Sequence, residues 1–281
     1  MPVKTRVFVV LDPTCMEQAA LEWGEQVVRE FSLRPDREVV LHIYCCINPD
    51  SVAVVQSNNA AHAQAVTEKR VRGWVDRLAS LPRAEGMDVI TEVEWHDDWR
   101  KAIVVAVERA ESTIVVKNMT QHSRFVRAVR ETSDWTLIRN CPCPMLLVKT
   151  GNPTRIKKVL VAVKHSPGDD IYEKANDDIL AAARSITTDL GATLHVVTAY
   201  TGGHPDRQRF ADRCGLERSQ VSAAIGAPEK VIAEAAARQE SDLLIIARVA
   251  HADSPKSLGS TARKVLDEIN TEVLILPVVS R

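Results

Sequence analysis

The fold is decided by two matching stretches, RVFVVLDPT (6–14) and KVLVAVKHSP (158–167). Each is a continuous run of mostly β-branched apolar residues that ends in a turn. Unbroken apolar runs of this kind are typical of strands that are buried on both faces, as in a parallel sheet. A second match, between CPCPMLLVK (141–149) and INTEVLILP (269–277), indicates that the chain repeats one structural unit.

Strands alternate with helical patterns in both halves. In the first half we predict strands at 6–11, 38–47, 87–95, 112–117 and 144–149, with helices at 15–31, 60–80, 99–110 and 133–140. In the second half we predict strands at 158–163, 192–199, 219–225, 242–247 and 272–278, with helices at 170–190, 228–239 and 260–269. The segment 202–217 is predicted to be a loop or a short helix. This alternation indicates an α/β fold, in which helices cover both faces of a parallel sheet.

The domain boundary is predicted in the polar stretch TGNPTRIKK (150–158), which contains Gly, Pro and two Lys. The 281 residues are too many for one ordinary core and suit two domains of about 140 residues each. We therefore predict one domain at 1–150 and a second at 156–281.

Composition narrows the classes of function. The formal net charge is -1, so no basic face for nucleic acid is expected. No apolar run reaches the ~20 residues that a membrane span needs. The N-terminal residues 1–12 lead directly into a strand, without the pattern of a signal peptide, and a cytoplasmic location is predicted.

Six cysteines are expected to be thiols in such a location: Cys15, Cys45, Cys46, Cys141, Cys143 and Cys214. The pair Cys141 and Cys143, on either side of Pro142, has two readings. It could ligate a metal or form a redox couple, but no second pair completes a set of four ligands. The alternative is that both are small apolar residues at the start of a buried strand.

Ligands of open parallel sheets bind at the carboxyl ends of the strands, near the point where the strand order reverses. After the first strand, the first half has DPT (12–14) and the second has KHS (164–166). Asp12 could bond a ribose hydroxyl, and Lys164 could meet a phosphate. Both segments could instead only turn the chain and cap the next helix.

After the fourth strand, the second half has Gly259, Ser260 and Thr261 at the start of a predicted helix. Backbone N–H groups at a helix N-terminus bind anions, and the hydroxyls add donors. The alternative is an ordinary helix cap. The first half has Glu131 and Asp134 at the aligned place, and these two carboxylates would repel a phosphate.

A weak candidate for a metal site lies at the same edge in the first half. His96 follows a predicted strand together with Asp97 and Asp98, and His122 follows the fourth strand. Histidine and carboxylate ligands suit zinc, although histidines on separate loops are more often solvated or capping residues. Motifs of phosphate-binding loops, dinucleotide folds, serine hydrolases and zinc proteases are absent from the sequence, so we do not expect an enzyme.

The repeat resembles the universal stress protein family over essentially the whole chain. The resemblance rests on VLVAVKHSP (159–167), GAPEKVI (226–232), SDLLIIA (241–247) and LGSTARKV (258–265), and, for its tandem two-domain members, on VEWHDDWRKAI (93–103) and TSDWTLIRNCPCPMLLVK (132–149). It implies two Rossmann-like domains, each with a five-stranded parallel sheet. It also implies that their last strands join them as an internal pseudo-dimer, with a further homodimer as an option, and that the chain acts in cytoplasmic stress resistance.

Nucleotide-binding members of this family carry G-x2-G-x9-G-[ST] after the fourth strand and an Asp after the first. The second half keeps Gly259 and Ser260, but Ala247 and Ala250 replace two glycines, the spacer is one residue short, and Lys164 replaces the Asp. A methyl group where the backbone must approach phosphate disfavours binding. The first half keeps Asp12 and none of the glycines: Asn118, Gln121 and Glu131 stand near their places.

The resemblance therefore implies a non-catalytic stress-response protein that acts as a binding or regulatory module. The partner would be a small ligand or a regulatory protein, with no nucleic acid and no membrane span. One alternative is a nucleotide sensor with ATP in the second domain and at most weak hydrolysis. Another is a carrier of a metal or an apolar small ligand in the first domain.

Overall fold

The computed structural model describes residues 2–50, 59–119, 133–149, 151, 153–164, 170–200, 206–250 and 260–279. For residues 133–135, 249, 250, 260, 261 and 279 it describes the backbone alone. The chain divides into two compact units, Met1–Pro153 (unit 1) and Thr154–Arg281 (unit 2). Each unit is described by itself below.

Unit 1 alternates strands and helices in the predicted order. Its strands are β1 (Val3–Leu11), β2 (Arg37–Ile47), β3 (Asp88–Trp95), β4 (Ile114–Asn118) and β5 (Met145–Val148). Its described helices are α1 (Ala19–Ser32), α2 (Ala60–Ala84), α3 (Trp99–Arg109) and α4 (Ser133–Asn140).

Unit 2 repeats this order. Its strands are β6 (Lys158–Ala162), β7 (Thr193–Tyr200), β8 (Val221–Ile225), β9 (Leu243–Ala250) and β10 (Glu272–Val279). Its described helices are α5 (Asp170–Leu190), α6 (Arg207–Cys214), α7 (Pro228–Gln239) and α8 (Ser260–Glu268), with a 3-10 turn at Arg218–Gln220. The segment predicted as a loop or a short helix therefore contains the short helix α6, which ends at Gly215 in the left-handed conformation (φ 59°).

Within the described ranges, each unit has a five-stranded parallel sheet. The strand order is β3-β2-β1-β4-β5 in unit 1 and β8-β7-β6-β9-β10 in unit 2. The central strands contain buried apolar runs, such as 7–11 of β1 and 243–246 of β9, because helices cover both faces. The predicted α/β class with a parallel sheet in each repeat is confirmed.

Contacts from the helices show how the two faces of unit 1 are covered. Gly24 of α1 lies against Val9 and Leu41, and Asp76 of α2 accepts a hydrogen bond from Thr91. On the other face, Arg109 of α3 reaches Glu92. Side chains alternate across a strand, so odd-numbered residues of β1 and β2 face α1, and even-numbered ones such as Phe8 face the side of α3.

The observed boundaries correct the prediction by three or more residues at two helices and two strands, and one of these strands, β1, begins at Val3 instead of residue 6. Helix α1 begins at Ala19, not at residue 15, because residues 12–18 form a hydrogen-bonded loop. Helix α2 runs to Ala84 through Pro82, four residues beyond its predicted end. Strand β9 continues to Ala250, three residues farther than predicted, since it pairs along its whole length with β10.

Candidate functional site

The strand order reverses between β1 and β4 in unit 1 and between β6 and β9 in unit 2. At such a point the loops after neighbouring strands diverge and leave a crevice at the carboxyl edge of the sheet. Asp12 follows β1 and Asn118 ends β4, whereas Lys164 follows β6 and Ala247 lies in β9. The predicted site residues that the structure describes are therefore found at these two edges.

The Asp12 carboxylate accepts hydrogen bonds from its own loop. Oδ1 accepts from the Thr14 backbone N–H at 2.9 Å and from Thr14 Oγ1 at 2.6 Å. Oδ2 accepts from Cys15 Sγ at 3.4 Å. Local bonds of this type are characteristic of a turn that an Asp side chain stabilises. These bonds agree with the alternative in which Asp12 turns the chain.

The buried side chain of Gln18 closes the same loop. Its Oε1 accepts from the Asp12 backbone N–H at 3.0 Å. Its Nε2 donates to the carbonyl oxygens of Asp12 and Cys15, both at 2.8 Å. One amide therefore satisfies both backbone groups of the residue that follows β1, and it holds the chain outside the helix until Ala19.

A buried lysine lies on the opposite side of this crevice. Lys117 of β4 is 6% exposed, and its Nζ donates to the Asn118 carbonyl oxygen at 3.0 Å. Its register partner is Val10, so it shares a sheet face with Asp12. Sequence reasoning did not single out Lys117. The signal was a Lys inside the apolar run 114–117: a charge in a buried strand needs a partner, and a residue of this kind is therefore a candidate for a polar site.

The environment of Cys15 does not suit a reactive thiol. Burial raises its pKa first, the charge of Asp12 and the hydrogen bond to it raise it further, and Lys117 opposes these effects only in part. The reactive form of cysteine is the thiolate. Cys15 therefore serves as a donor to Asp12 at this edge.

At the end of β4, Asn118 Oδ1 accepts from the Ala20 backbone N–H and so anchors the start of α1.

Unit 2 repeats the amide bridge with different residues. The Lys164 backbone N–H donates to Asn176 Oδ1 at 3.2 Å, and Asn176 Nδ2 donates to the Lys164 carbonyl oxygen at 2.8 Å. The exposed Lys164 ammonium lies 3.4 Å from the ring centroid of Tyr172, a cation–π contact. The residue after the first strand is thus held by a side-chain amide in both units, although it is an acid in one and a base in the other.

The remaining candidates for nucleotide binding lie at the other side of the unit 2 edge. Ala247 is half-buried and Ala250 is the last residue of β9, and they pair in register with Leu276 and Val279. Extended, paired strand therefore occupies the positions of the two missing glycines. Ser260 and Thr261 begin α8, as predicted, and Gly259 lies outside the described residues.

The predicted metal ligands in unit 1 are only partly described. His96 Nδ1 accepts from the Asp98 backbone N–H at 2.9 Å, and Asp98 Oδ1 accepts from the Lys101 backbone N–H at 3.3 Å, which caps α3. His122 lies outside the described residues, as do Gln121 and Glu131. Among the residues that are described, no group of three or more His, Cys, Asp or Glu side chains could hold a metal ion.

Sequence reasoning missed a polar network on the α3 side of the unit 1 sheet. His42 Nε2 lies 3.0 Å from Glu92 Oε2, and Tyr44 Oη donates to Glu94 at 2.9 Å. Arg109 contacts Glu92 and lies 3.7 Å from Glu94. Burial raises the pKa of Tyr44 and lowers that of His42, although Glu92 opposes the shift of His42. The signal in the sequence was that polar residues recur at every second position in β2 (His42 and Tyr44) and in β3 (Glu92 and Glu94), two strands that pair.

Unit 2 has a histidine at the matching position. Val7 pairs with Leu41 and Val159 with Leu194, so His42 and His195 occupy the same place in their sheets. Burial lowers the pKa of His195, and the charge of Lys158 lowers it further. Within the described part of the chain its buried Nδ1 makes no hydrogen bond. Register places Ser222 where unit 1 has Glu92, so the acidic partner is lost.

Three comparisons place the chain among known proteins. The family described as "Universal stress protein family" matches residues 5–149. The chain is 25% identical to the universal stress protein E homolog of Haemophilus influenzae over 303 aligned residues, which cover 95% of this chain and 96% of that protein. It is 23% identical to universal stress protein E of Escherichia coli K12 over 306 residues, which cover 98% and 95%.

Solved structures share the fold of the whole chain. A putative universal stress protein from Pseudomonas aeruginosa UCBPP-PA14 superposes with a TM-score of 0.70 at 22% identity, covering 97% of this chain and 92% of that one. A universal stress protein from Archaeoglobus fulgidus DSM 4304 gives 0.67 at 15% identity, covering 97% and 96%. Across the ranges that the structure describes, every helix is too short or too polar to cross a membrane.

Proposed function

The chain belongs to the universal stress protein family, and on that premise we propose that it acts in the stress response as a non-catalytic binding and regulatory module in the cytoplasm. The Asp12 carboxylate carries this proposal. Both of its oxygens accept hydrogen bonds from its own loop, and this supports a role in forming the turn over a role in binding a ribose hydroxyl.

Unit 2 supports the same proposal by another route. Ala247 and Ala250 stand where nucleotide-binding relatives are expected to carry glycine, and both lie in a strand that pairs with β10. The Cβ of Ala247 keeps a phosphate away from the backbone, and the paired strand does not form the loop that would enclose it. The module is therefore expected to work through contacts with a regulatory protein or a small ligand other than ATP.

Thermal unfolding in the presence of ATP tests the proposal. A ligand that binds only the folded state stabilises it by mass action, with about 2.7 kcal/mol at a concentration 100 times its Kd. For a non-nucleotide module we expect no change in Tm when millimolar Mg²⁺ and ATP are added. A rise in Tm of several degrees would contradict the proposal and establish the nucleotide-binding alternative.

The alternative, a nucleotide sensor in unit 2, is favoured by one observation. Lys164 has an exposed ammonium at the edge where the strand order reverses, and it would attract a phosphate. If ATP does raise the Tm, Lys164→Ala is expected to abolish the rise. Lys157→Ala removes the same charge just before β6, at the opposite edge of the sheet, and is expected to keep it. Equal responses of the two variants would exclude this edge as the site.

The carrier alternative in unit 1 has a direct test. Metal analysis of protein purified without a histidine tag would detect a bound metal, and native mass spectrometry would detect a retained apolar molecule. Since His96 Nδ1 already accepts from the Asp98 backbone, we expect no bound zinc. Stoichiometric zinc that is lost in His96→Ala would contradict that expectation.

A further inference from the structure

The segment CPCP (141–144) joins α4 to β5 and brings two thiols together. Cys141 Sγ and Cys143 Sγ are 3.8 Å apart. A disulfide bond is about 2.05 Å long, so the sulfurs need to approach by about 1.8 Å to form one. Rotation about the Cα–Cβ bonds can supply a movement of that size.

Both ends of this segment are anchored. The Cys141 backbone N–H donates to the Leu137 carbonyl oxygen in α4 at 2.8 Å, and the Val115 backbone N–H of β4 donates to the Pro144 carbonyl oxygen at 2.9 Å. Pro142 and Pro144 have a fixed φ. The thiols are thus held close together before any reaction, and little conformational entropy is lost when they join.

The two thiols differ in their access to solvent. Cys141 is 3% exposed, whereas Cys143 is only half-buried. A dissolved oxidant therefore reaches Cys143 first, and Cys141 is placed to react with the product. An accessible thiol beside a second, resolving thiol is the arrangement that allows reversible oxidation.

The other four cysteines are poorly suited to compete. Burial raises the pKa of Cys45 and of Cys46 to about 12 each. It also raises the pKa of Cys214, and burial together with Asp12 raises that of Cys15. Because the thiolate is the nucleophile, a raised pKa disfavours the reactive form of each of these four thiols.

We propose that Cys141 and Cys143 are a dithiol site that hydroperoxides convert reversibly into an intrachain disulfide. The Cys143 sulfur attacks one oxygen of ROOH, the O–O bond breaks, and ROH leaves with the thiol proton, so that Cys143 becomes a sulfenic acid. The Cys141 sulfur then attacks Cys143, the S–S bond forms, the S–O bond breaks, and water leaves with the Cys141 proton. Two thiols are oxidised by two electrons and the peroxide is reduced; an added dithiol reverses the reaction by exchange.

Trypsin isolates this site for measurement. Cleavage after Arg139 and Lys149 releases the peptide 140–149, which contains Cys141 and Cys143 and no other cysteine. The folded full-length protein is treated with stoichiometric hydrogen peroxide, then unfolded and alkylated with iodoacetamide. We expect peptide 140–149 to be two hydrogen atoms lighter and not alkylated, while the peptides that carry Cys45, Cys46 and Cys214 are fully alkylated. Dithiothreitol before alkylation restores two alkyl groups on 140–149.

Two variants test the order of the steps. In Cys141→Ser, Cys143 is expected to accumulate as a sulfenic acid that dimedone traps. In Cys143→Ser, the buried Cys141 is expected to stay reduced at the same peroxide dose. Full alkylation of the wild-type peptide after peroxide would overturn the proposal. So would equal oxidation of all six cysteines, because the reaction would then not be selective for this pair. Neither outcome depends on the function proposed above.

Discussion

Gln18 and Asn176 show how a single side chain can define the edge of a sheet. Each amide bonds both backbone groups of a residue in the loop after the first strand of its unit, Asp12 or Lys164. An amide is suited to this because it carries one acceptor and one donor group. The amide bonds only the backbone of the residue that it bridges, so the side chain of that residue can vary. This explains how an acid and a base occupy equivalent places.

Removal of either amide should destabilise its own unit. Gln18 is buried and makes three hydrogen bonds, so Gln18→Ala is expected to lower the free energy of unfolding by about 1–3 kcal/mol, since buried partners are left unsatisfied. Asn176→Ala loses two bonds at an exposed place and should cost about 1 kcal/mol. Urea denaturation measures both.

Gln208→Ala is the matched control for these two variants. Among the described residues, the Gln208 side chain bonds only Asp212 on the surface of α6, so its removal should change stability by no more than about 0.5 kcal/mol. A loss for Gln18→Ala as small as that of the control would show that the bridge contributes little.

Helix α1 lies close to the central strand because a glycine faces the sheet. A Cβ at Gly24 would fall far inside the van der Waals radius of Val9 Cγ2, and Val9 is fully buried in β1. Gly73 of α2 contrasts with it, since a Cβ there would meet nothing nearer than Arg77 Nη1 at 3.7 Å. The same residue type therefore serves close packing in one helix and has no such role in the other.

The two glycines should respond to alanine with opposite signs. Gly24→Ala is expected to destabilise the protein by about 1–3 kcal/mol, because α1 must move away from β1. Gly73→Ala is expected to stabilise it by about 0.5–1 kcal/mol, because alanine favours the helix. The Tm of each variant measures these effects. A higher Tm for Gly24→Ala would contradict the prediction, because it would mean that the contact between α1 and β1 accommodates the methyl group without a loss of stability.

The two units have kept one fold and changed the chemistry on it. His42 and His195 occupy the same register position, and yet His42 faces Glu92 while the matching place in unit 2 holds Ser222. Burial lowers the pKa of both histidines below the usual 6.5. Each unit therefore contributes one histidine to the pH dependence of the stability of the chain.

The sign of the pH dependence follows from these shifts. The folded state binds protons on His42 and His195 less readily than the unfolded state, which titrates near 6.5. The free energy of unfolding should therefore fall as the pH is lowered from 7.5 through 6.5, until the lower pKa values of the folded state are reached. Arg6 and Arg109 add to the effect on His42, and Glu92 opposes it.

Urea midpoints between pH 7.5 and 5.5 measure this slope. The double variant His42→Gln, His195→Gln should flatten it, although its stability at pH 7.5 is lower because the contact with Glu92 is lost. His62→Gln, at an exposed position of α2, is the control for replacement of a histidine by glutamine. An unchanged slope in the double variant would mean that other groups dominate the titration.

Much of this molecule was determined by local sequence. The apolar runs 6–11 and 158–163, their repetition and the alternation with helical patterns were sufficient to predict the class of fold and nearly every element. That was possible because a strand covered on both faces contains a nearly continuous apolar run, and such a run is visible without any partner. Resemblance of motifs such as GAPEKVI (226–232) supplied the family.

The site was decided only by tertiary structure. Asp12 could be read from the sequence as a ligand or as a turn residue, and only the positions of Thr14 and Cys15 show which atoms its carboxylate meets. Lys117 and the pair of His42 with Glu92 likewise depend on strand register. The physical reason is that the hydrogen bonds of a polar group depend on the path that the backbone takes and on which strands become neighbours, whereas the burial of a strand is visible in its own residues.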